Sequence, residues 1–205
     1  MFVNFSTDEV YGPAPVGKDF KEFEYHYPTN PYAASKSAQE KIGISYSNTY
    51  GVPLINTHTM NIFGERQHPE KFIPLVIKKV LAGEEVTIHA NKEKTQAGSR
   101  FYLHARNLAD ALLHILNLGY KGYDEWNIAG LKEIDNLSLA QMISEYVGKP
   151  LRYKMVDFHS SRPGHDLRYA IDSSKLIASG YKFPKDLEES LKKTVEWYLE
   201  RPDWL

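Results

Sequence analysis

The chain has 205 residues, 42% of them hydrophobic, which is enough for one substantial core or two small ones. A formal net charge of −1 excludes the basic surface of a general nucleic-acid binder, so we expect a small-molecule partner and no nucleic acid. The chain has no cysteine, which excludes disulfides and thiolate chemistry. It also lacks a signal-like N-terminus and any apolar run approaching about 18 residues, so we expect a cytoplasmic protein with no membrane contact.

The first predicted strand ends in a group of polar side chains. Residues 1–6 contain a short apolar run, and Thr7, Asp8 and Glu9 follow directly before the Gly-Pro turn at Gly12. Open α/β sheets bind ligands at the carboxyl ends of their strands. We therefore expect this stretch to belong to a functional site, and residues 12–31 to form a loop that could cover it.

A helix is predicted next, over residues 32–50, with Gly51 as its stop. Tyr32 and Lys36 are four residues apart and share one face of this helix, where a buried ammonium would lower the pKa of the phenol. A second face of small and apolar residues is expected to pack on a sheet or on a partner helix, namely Ala34, Ala38 and Ile42.

The rest of the chain alternates predicted strands and helices. Further strands are predicted over residues 52–63, 85–89, 100–104, 126–128, 154–158 and 169–171. Further helices are predicted over residues 70–81, 105–118, 138–147 (with Ser138 and Gln141 as a capping box) and from Asp186 towards the C-terminus. This order predicts an α/β fold with a parallel sheet.

Four motifs occur in an order that resembles the extended short-chain dehydrogenase/reductases, and more narrowly the nucleotide-sugar 4,6-dehydratases, whose best-known type acts on dTDP-glucose. The motifs are S-T-D-E-V-Y-G at 6–12, P-T-N-P-Y-A-A-S-K at 28–36, Asn61 with P-E-K-F-I-P at 69–74, and R-P-G-H-D-L-R-Y-A-I-D at 162–172. The resemblance implies the C-terminal part of a Rossmann-type parallel sheet plus a small α/β substrate-binding domain. Residues 1–64 would then belong to the NAD-binding domain and carry the catalytic residues. Residues 65–205 would mainly bind the nucleotide sugar, with some segments returning to the sheet.

The resemblance also implies a lyase reaction with NAD as an internal redox carrier. In such enzymes a hydride passes from C4 of the hexose to NAD, water leaves across C5 and C6, and the hydride returns to C6. By this resemblance Tyr32 is the base at the C4 hydroxyl, assisted by Thr7, and Lys36 tunes Tyr32 and holds the nicotinamide ribose. Asp8 protonates the leaving C6 hydroxyl and Glu9 removes the C5 proton.

The same resemblance assigns binding residues. Those implied to contact NAD are Ser6, Tyr32 and Lys36, and those implied to bind the nucleotide-diphosphate sugar are Asn61, Lys71, Arg100, Asn136, Arg162 and His165. The Arg100-Phe101-Tyr102 stretch and Asn107 depart from the family pattern, which leaves the nucleotide (dTDP, UDP or another) open. The histidines show no metal-ligand spacing such as H-E-x-x-H, so no metal is expected.

A G-x-x-G-x-x-G loop, which binds the cofactor pyrophosphate in this family, is not found in the sequence. The resemblance suggests that the chain starts at about the fifth strand of the usual Rossmann sheet. Three interpretations stay open: a fragment of a full enzyme, one half of a split enzyme, or a non-catalytic module that binds sugar nucleotides or takes part in assembly. We expect weak NAD binding and self-association of the chain alone, and either a homodimer or a pairing with a chain that carries the missing half.

A neighbouring activity in the same family also stays open. Nucleotide-sugar epimerases and decarboxylases share most of these motifs, but they usually carry Ser-Glu where this chain has Asp8-Glu9. The acidic pair therefore favours dehydration.

Overall fold

The computed structural model describes residues 1–119, 121–161 and 167–205. Within these residues the strands are β1 (Phe2–Thr7), β2 (Leu54–Thr59), β3 (Ile62–Phe63), β4 (Glu85–Ala90), β5 (Ser99–Arg100), β6 (Leu103–His104), β7 (Tyr123–Ile128), β8 (Ile134–Asp135) and β9 (Arg152–Asp157). The helices in the same ranges are α1 (Pro31–Tyr50), α2 (Phe72–Ala82), α3 (Ala105–Asn117), α4 (Asn136–Val147), α5 (Phe158–Ser161), α6 (Ser174–Ala178) and α7 (Leu187–Glu200), with 3-10 turns at Asp8–Tyr11 and Pro202–Trp204. The predicted α/β class is confirmed.

The central sheet is parallel, with the strand order β1-β2-β7. Its register pairs Thr7 of β1 with Thr59 of β2, and Thr59 with Ile128 of β7, so the three strands end at the same level. The polar residues that follow β1 and β2 therefore meet at one edge of the sheet. None of the helices in the described ranges is long and apolar enough to cross a membrane.

Two large apolar clusters stabilise the structure on either side of this edge. One lies between the central sheet and α3 and includes Ile55, Leu103, Ala111, Ile115, Trp126 and Ile128. The other joins α2, α4 and α7 to β4 and includes Ile73, Ile77, Ile88, Leu139, Ile143, Leu191, Val195 and Tyr198. The second cluster holds α2 in place, and the N-terminal end of α2 reaches the candidate site described below.

Helix α1 packs through a face that the sequence did not indicate. Its buried residues are Ala33, Glu40 and Ser47, whereas Ala34, Ala38 and Ile42 are exposed. The expectation that the small-residue face packs on the sheet was wrong, and the alternative of a partner helix stays a prediction. The physical reason is that the covered sheet face is polar and takes the Glu40 carboxylate instead of an apolar stripe.

Several helix and strand boundaries differ from those predicted, because helix caps and strand pairing determine where an element begins and ends. Helix α4 begins at Asn136 and is capped by Asp135, whose side chain accepts hydrogen bonds at 2.9 Å from the amides of Leu137 and Ser138. The predicted cap at Ser138 was therefore wrong. The predicted strand at 100–104 is split, because β5 pairs antiparallel with β8 whereas β6 pairs in parallel with β3.

The segment 12–30 lies beside β7, where Phe23 and Glu22 contact Glu125 and Asn127, and it is fastened at several points. The Arg168 guanidinium donates to the carbonyls of Pro15 (2.9 Å) and Lys18 (2.7 Å). The backbone of Phe20 bridges to the 170–172 region, where only an isolated bridge replaces the predicted strand at 169–171. Of the described residues, those that line the candidate cavity do not include this segment, so it covers the polar sheet face and not the cavity.

Candidate active site

A cavity of about 290 Å3 opens at the carboxyl ends of β1 and β2. The predicted site residues that line it are Ser6, Thr7, Asp8, Glu9, Tyr32, Asn61 and Lys71. They come from four separate stretches of the chain: the end of β1, the start of α1, the residue Asn61 after β2, and the N-terminal end of α2. The wall also includes Phe63 of β3 and Tyr102, which the sequence did not point out as site residues.

Asp8 is a buried acid whose protonation is set by its surroundings. It is 6% exposed, and the Thr7 hydroxyl donates to its Oδ1 at 3.1 Å. Burial raises the pKa of Asp8 to about 7, although the nearby positive charge of Arg100 lowers it; the Glu9 carboxylate adds to the increase. At neutral pH the Asp8 carboxyl is therefore close to half protonated and is suited to donate a proton.

Glu9 is held beside Asp8 by a residue that the sequence reasoning missed. The Asn30 amide nitrogen donates to Glu9 Oε2 at 2.9 Å, while the Asn30 carbonyl oxygen caps α1 by accepting from the Ala33 amide at 2.8 Å. One side chain thus fixes both the carboxylate and the start of the helix that carries Tyr32. An Asn directly before a Pro that begins a helix is a recognisable capping signal, and it could have identified Asn30.

Tyr32 and Lys36 share a face of α1, but they do not interact as expected. Burial and the charge of Glu9 raise the pKa of Tyr32, and a hydrogen bond with Thr7 only partly opposes this increase. Lys36 Nζ donates instead to the Phe5 carbonyl at 2.5 Å and to Gln39 Oε1 at 2.7 Å. The expected lowering of the Tyr32 pKa by Lys36 is therefore contradicted, because the ammonium is bound at the sheet edge.

The other predicted binding residues lie either at the cavity or behind its wall. Lys71 occupies the N-cap position of α2 without a side-chain capping bond, and Asn61 lies at the cavity with a left-handed backbone (φ 39°) that asparagine tolerates well. Asn136 lies behind the cavity wall, where it accepts a hydrogen bond from the Tyr102 hydroxyl at 2.8 Å. Ser6 reaches the cavity edge, but its hydroxyl donates to Glu40, away from the positions of Tyr32 and Lys36.

Arg100 acts on the site by its charge. Its guanidinium donates to the carbonyls of Ser99 (2.6 Å) and Leu167 (2.5 Å) and lies 4.8 Å from the centre of the Tyr169 ring. From there it influences the ionisation of Asp8. The predicted residues Arg162 and His165 lie outside the described residues.

Comparison with known proteins agrees with this architecture. The model of the NAD dependent epimerase/dehydratase family matches residues 1–129. The chain therefore belongs to this family, which confirms the resemblance in the sequence. A dTDP-glucose 4,6-dehydratase of Xanthomonas campestris pv. campestris is 35% identical over 213 residues, which cover 100% of this chain and 59% of that protein.

Solved structures of nucleotide-sugar dehydratases and epimerases also superpose on this chain. The dTDP-glucose 4,6-dehydratase of Bacillus anthracis, solved in complex with NAD, superposes with a TM-score of 0.86 at 31% identity, covering 98% of this chain and 62% of the other. The UDP-glucose 4-epimerase of Thermus thermophilus, also solved with NAD, superposes with a TM-score of 0.87 at 27% identity, covering 97% and 64%. The chain thus spans about three fifths of the length of these relatives.

Proposed function

We propose that this chain carries the acid–base residues of a nucleotide-sugar 4,6-dehydratase. The reaction would convert a nucleotide-diphospho-hexose of the dTDP- or UDP-glucose type to the 4-keto-6-deoxy sugar, with NAD as internal redox carrier. The observation that carries the proposal is the cavity at the sheet edge, where Asp8 has a pKa of about 7 and Glu9 is fixed beside it. The 35% identity to a dTDP-glucose 4,6-dehydratase supports it.

The two carboxyl groups have distinct surroundings that suit distinct roles. Asp8 is buried and near half protonation, so it would donate a proton to the C6 hydroxyl as that group leaves. Glu9 accepts a hydrogen bond from Asn30 and is less deeply buried, so it would take the C5 proton as a carboxylate. Thr7 contacts Asp8 and the Tyr32 hydroxyl, and would position the substrate oxygen at C4.

The residues that are present fit the nicotinamide-ribose end of NAD. Tyr32 and Lys36 lie one turn apart on the open face of α1, and Tyr32 is 53% exposed. The Lys36 ammonium has three N–H donors and uses two of them on Phe5 and Gln39, which leaves one for a ribose hydroxyl. When bound, NAD supplies hydride acceptance and return. Ser6 does not suit this role, because its hydroxyl is engaged by Glu40.

The test is to supply the dinucleotide-binding region and to measure the product. The chain is mixed with, or fused to, the glycine-loop portion of a 4,6-dehydratase relative, and is assayed with dTDP-glucose and UDP-glucose in the presence of NAD. We expect the 4-keto-6-deoxy product from one of the two substrates. Asp8→Asn and Glu9→Gln should each lower product formation by at least a hundredfold, whereas the exposed Asp203→Asn should leave it unchanged. Unchanged product formation in both site variants would exclude the carboxylates from the mechanism.

Epimerisation at C4 is the second candidate, favoured by the structural match to a UDP-glucose 4-epimerase. It needs the Tyr32 and Thr7 chemistry but no acid at C6, so Asp8→Asn would leave an epimerase largely active. The same assay separates the two, because the epimerase product keeps its C6 hydroxyl. A chain that binds the sugar nucleotide but gives neither product would be a non-catalytic module.

A further inference from the structure

The sheet face under α1 is a buried polar layer that the proposed active site does not use. Residues in register across β1, β2 and β7 place six polar side chains on this face, all at most 5% exposed: Asn4, Ser6, Asn56, His58, Glu125 and Asn127. Helix α1 inserts Glu40 into the layer, and segment 12–30 contributes His26. The Glu40 carboxylate accepts hydrogen bonds from the Ser6 hydroxyl and from the Asn56 amide at 3.4 Å, which hold it in place within the layer.

Three side chains of this layer converge on one point. Glu40 Oε2 lies 3.1 Å from His58 Nε2 and 3.6 Å from His26 Nε2, and all three potential ligand atoms lie within 4.8 Å of one another. A tetrahedral zinc ion with bonds of about 2.0–2.1 Å separates its ligand atoms by about 3.3–3.4 Å. The distances from Glu40 Oε2 to the two histidine nitrogens, 3.1 and 3.6 Å, lie on either side of that value. Glu40 and His58 are fully buried, and the His26 side chain is 6% exposed.

The Nδ1 atoms of both histidines already have hydrogen-bonding partners. His58 Nδ1 lies 3.1 Å from the Tyr11 hydroxyl, and His26 Nδ1 lies 2.8 Å from the Ser37 hydroxyl. Metal-binding histidines commonly donate their second N–H to such a partner, which fixes the ring and the tautomer. In both rings this arrangement directs Nε2 toward Glu40, and in His58 Nε2 lies within hydrogen-bond distance of Glu40 Oε2.

We propose that His26, Glu40 and His58 bind one divalent transition-metal ion of the zinc type. Two imidazole nitrogens and one carboxylate oxygen suit zinc and its neighbours, whereas magnesium and calcium prefer ligand sets made of oxygen. The chain has no cysteine, so no thiolate competes for the ion. This inference does not depend on the proposed dehydratase activity.

Such an ion would connect three separate parts of the structure. His26 belongs to segment 12–30, Glu40 to α1 and His58 to β2. Glu40 lies one helical turn beyond Lys36, and Ser6, which donates to Glu40, directly precedes Thr7. The bound metal would therefore fix α1 against β2, and the helix that carries Tyr32 would be held against the sheet.

The test uses the 205-residue chain stripped of metal with a chelator. Calorimetric titration with zinc chloride should give one site per chain, and cobalt(II) should give the visible absorption of a four-coordinate site that zinc then abolishes. Saturating zinc should raise the thermal midpoint by several degrees. His26→Ala and His58→Asn should each weaken zinc binding at least a hundredfold, and Ser37→Ala, which removes the partner of His26 Nδ1, about tenfold.

His114→Ala is the matched control, because His114 contacts Ser179 on the opposite side of the sheet, in the α3 region. It should bind zinc as tightly as the parent chain. If His58→Asn fails to fold by circular dichroism, His26→Ala and Ser37→Ala decide the matter. Absence of one-to-one zinc binding in the parent chain, or equal binding by all variants, would overturn the proposal and leave a buried ion-pair network.

Discussion

Replacement of Asp8 by asparagine should stabilise the fold at neutral pH, even though the carboxyl group is proposed to be catalytic. Burial raises its pKa from 3.8 to about 7, so the folded state disfavours the charged form. The Asp8 carboxyl therefore costs the folded state little below pH 3.8, and the free energy of unfolding falls as the pH rises from 3.8 towards 7. Asparagine resembles the protonated acid and does not titrate, so the free energy of unfolding of Asp8→Asn should not fall over this pH range.

The size of the effect follows from the shift in pKa. At 1.36 kcal/mol per pKa unit, the buried carboxyl costs about 2 kcal/mol at pH 5 and about 4 kcal/mol at pH 8. Urea unfolding of the parent chain and of Asp8→Asn, followed by circular dichroism, should therefore show a free-energy difference that grows by between about 2 and 3 kcal/mol over this range. Asp203→Asn, in the exposed terminal turn, should change stability by less than about 0.5 kcal/mol at both pH values. A difference for Asp8→Asn that stays constant from pH 5 to pH 8 would refute the assignment of Asp8 as the buried acid.

Three further changes test the supports of the site. Arg100→Met removes a charge that lowers the Asp8 pKa, so the pH dependence described above should move to higher pH; an unmoved profile would show that the two groups are not coupled. Asn30→Ala should cost about 1 kcal/mol in urea unfolding through loss of the α1 cap, and Asn30→Ser should recover most of it. Gly12→Ala should lower the free energy of unfolding by clearly more than about 1 kcal/mol, because its φ is 78° and a Cβ would lie 2.4 Å from a backbone oxygen. Gly17 has a similar φ of 80° but free space around it, so Gly17→Ala should cost less. Equal losses for the two glycine variants would show that the close contact does not matter.

The order of elements could be predicted from the sequence because helix ends carry local signals. Gly51 and Gly148 adopt left-handed backbone where α1 and α4 were predicted to end, and Asp186 caps α7 as expected, with its side chain accepting from the Glu189 amide at 2.8 Å. Such signals depend on neighbours within about four residues, so they are visible in the chain itself. The strands that were split needed the identity of their pairing partners, which the sequence does not give.

The sequence by itself determined which residues approach the sheet edge, because a strand followed by Thr7, Asp8 and Glu9 and a helix bearing Tyr32 place them there in any parallel arrangement. Tertiary structure alone decided how those groups ionise. The pKa of Asp8 is raised by burial, while Lys36, predicted to tune Tyr32, is bound by the Phe5 carbonyl instead.

The same distinction explains the polar cluster under α1. His26, Glu40 and His58 show no metal-ligand spacing along the chain, yet the fold brings their ligand atoms within 4.8 Å of one another. Spacing along a chain indicates a site only when one helix or turn supplies the ligands. When a loop, a helix and a strand each supply one, the site exists only after the sheet and its covering helix have packed, because burial and distance are properties of that packing.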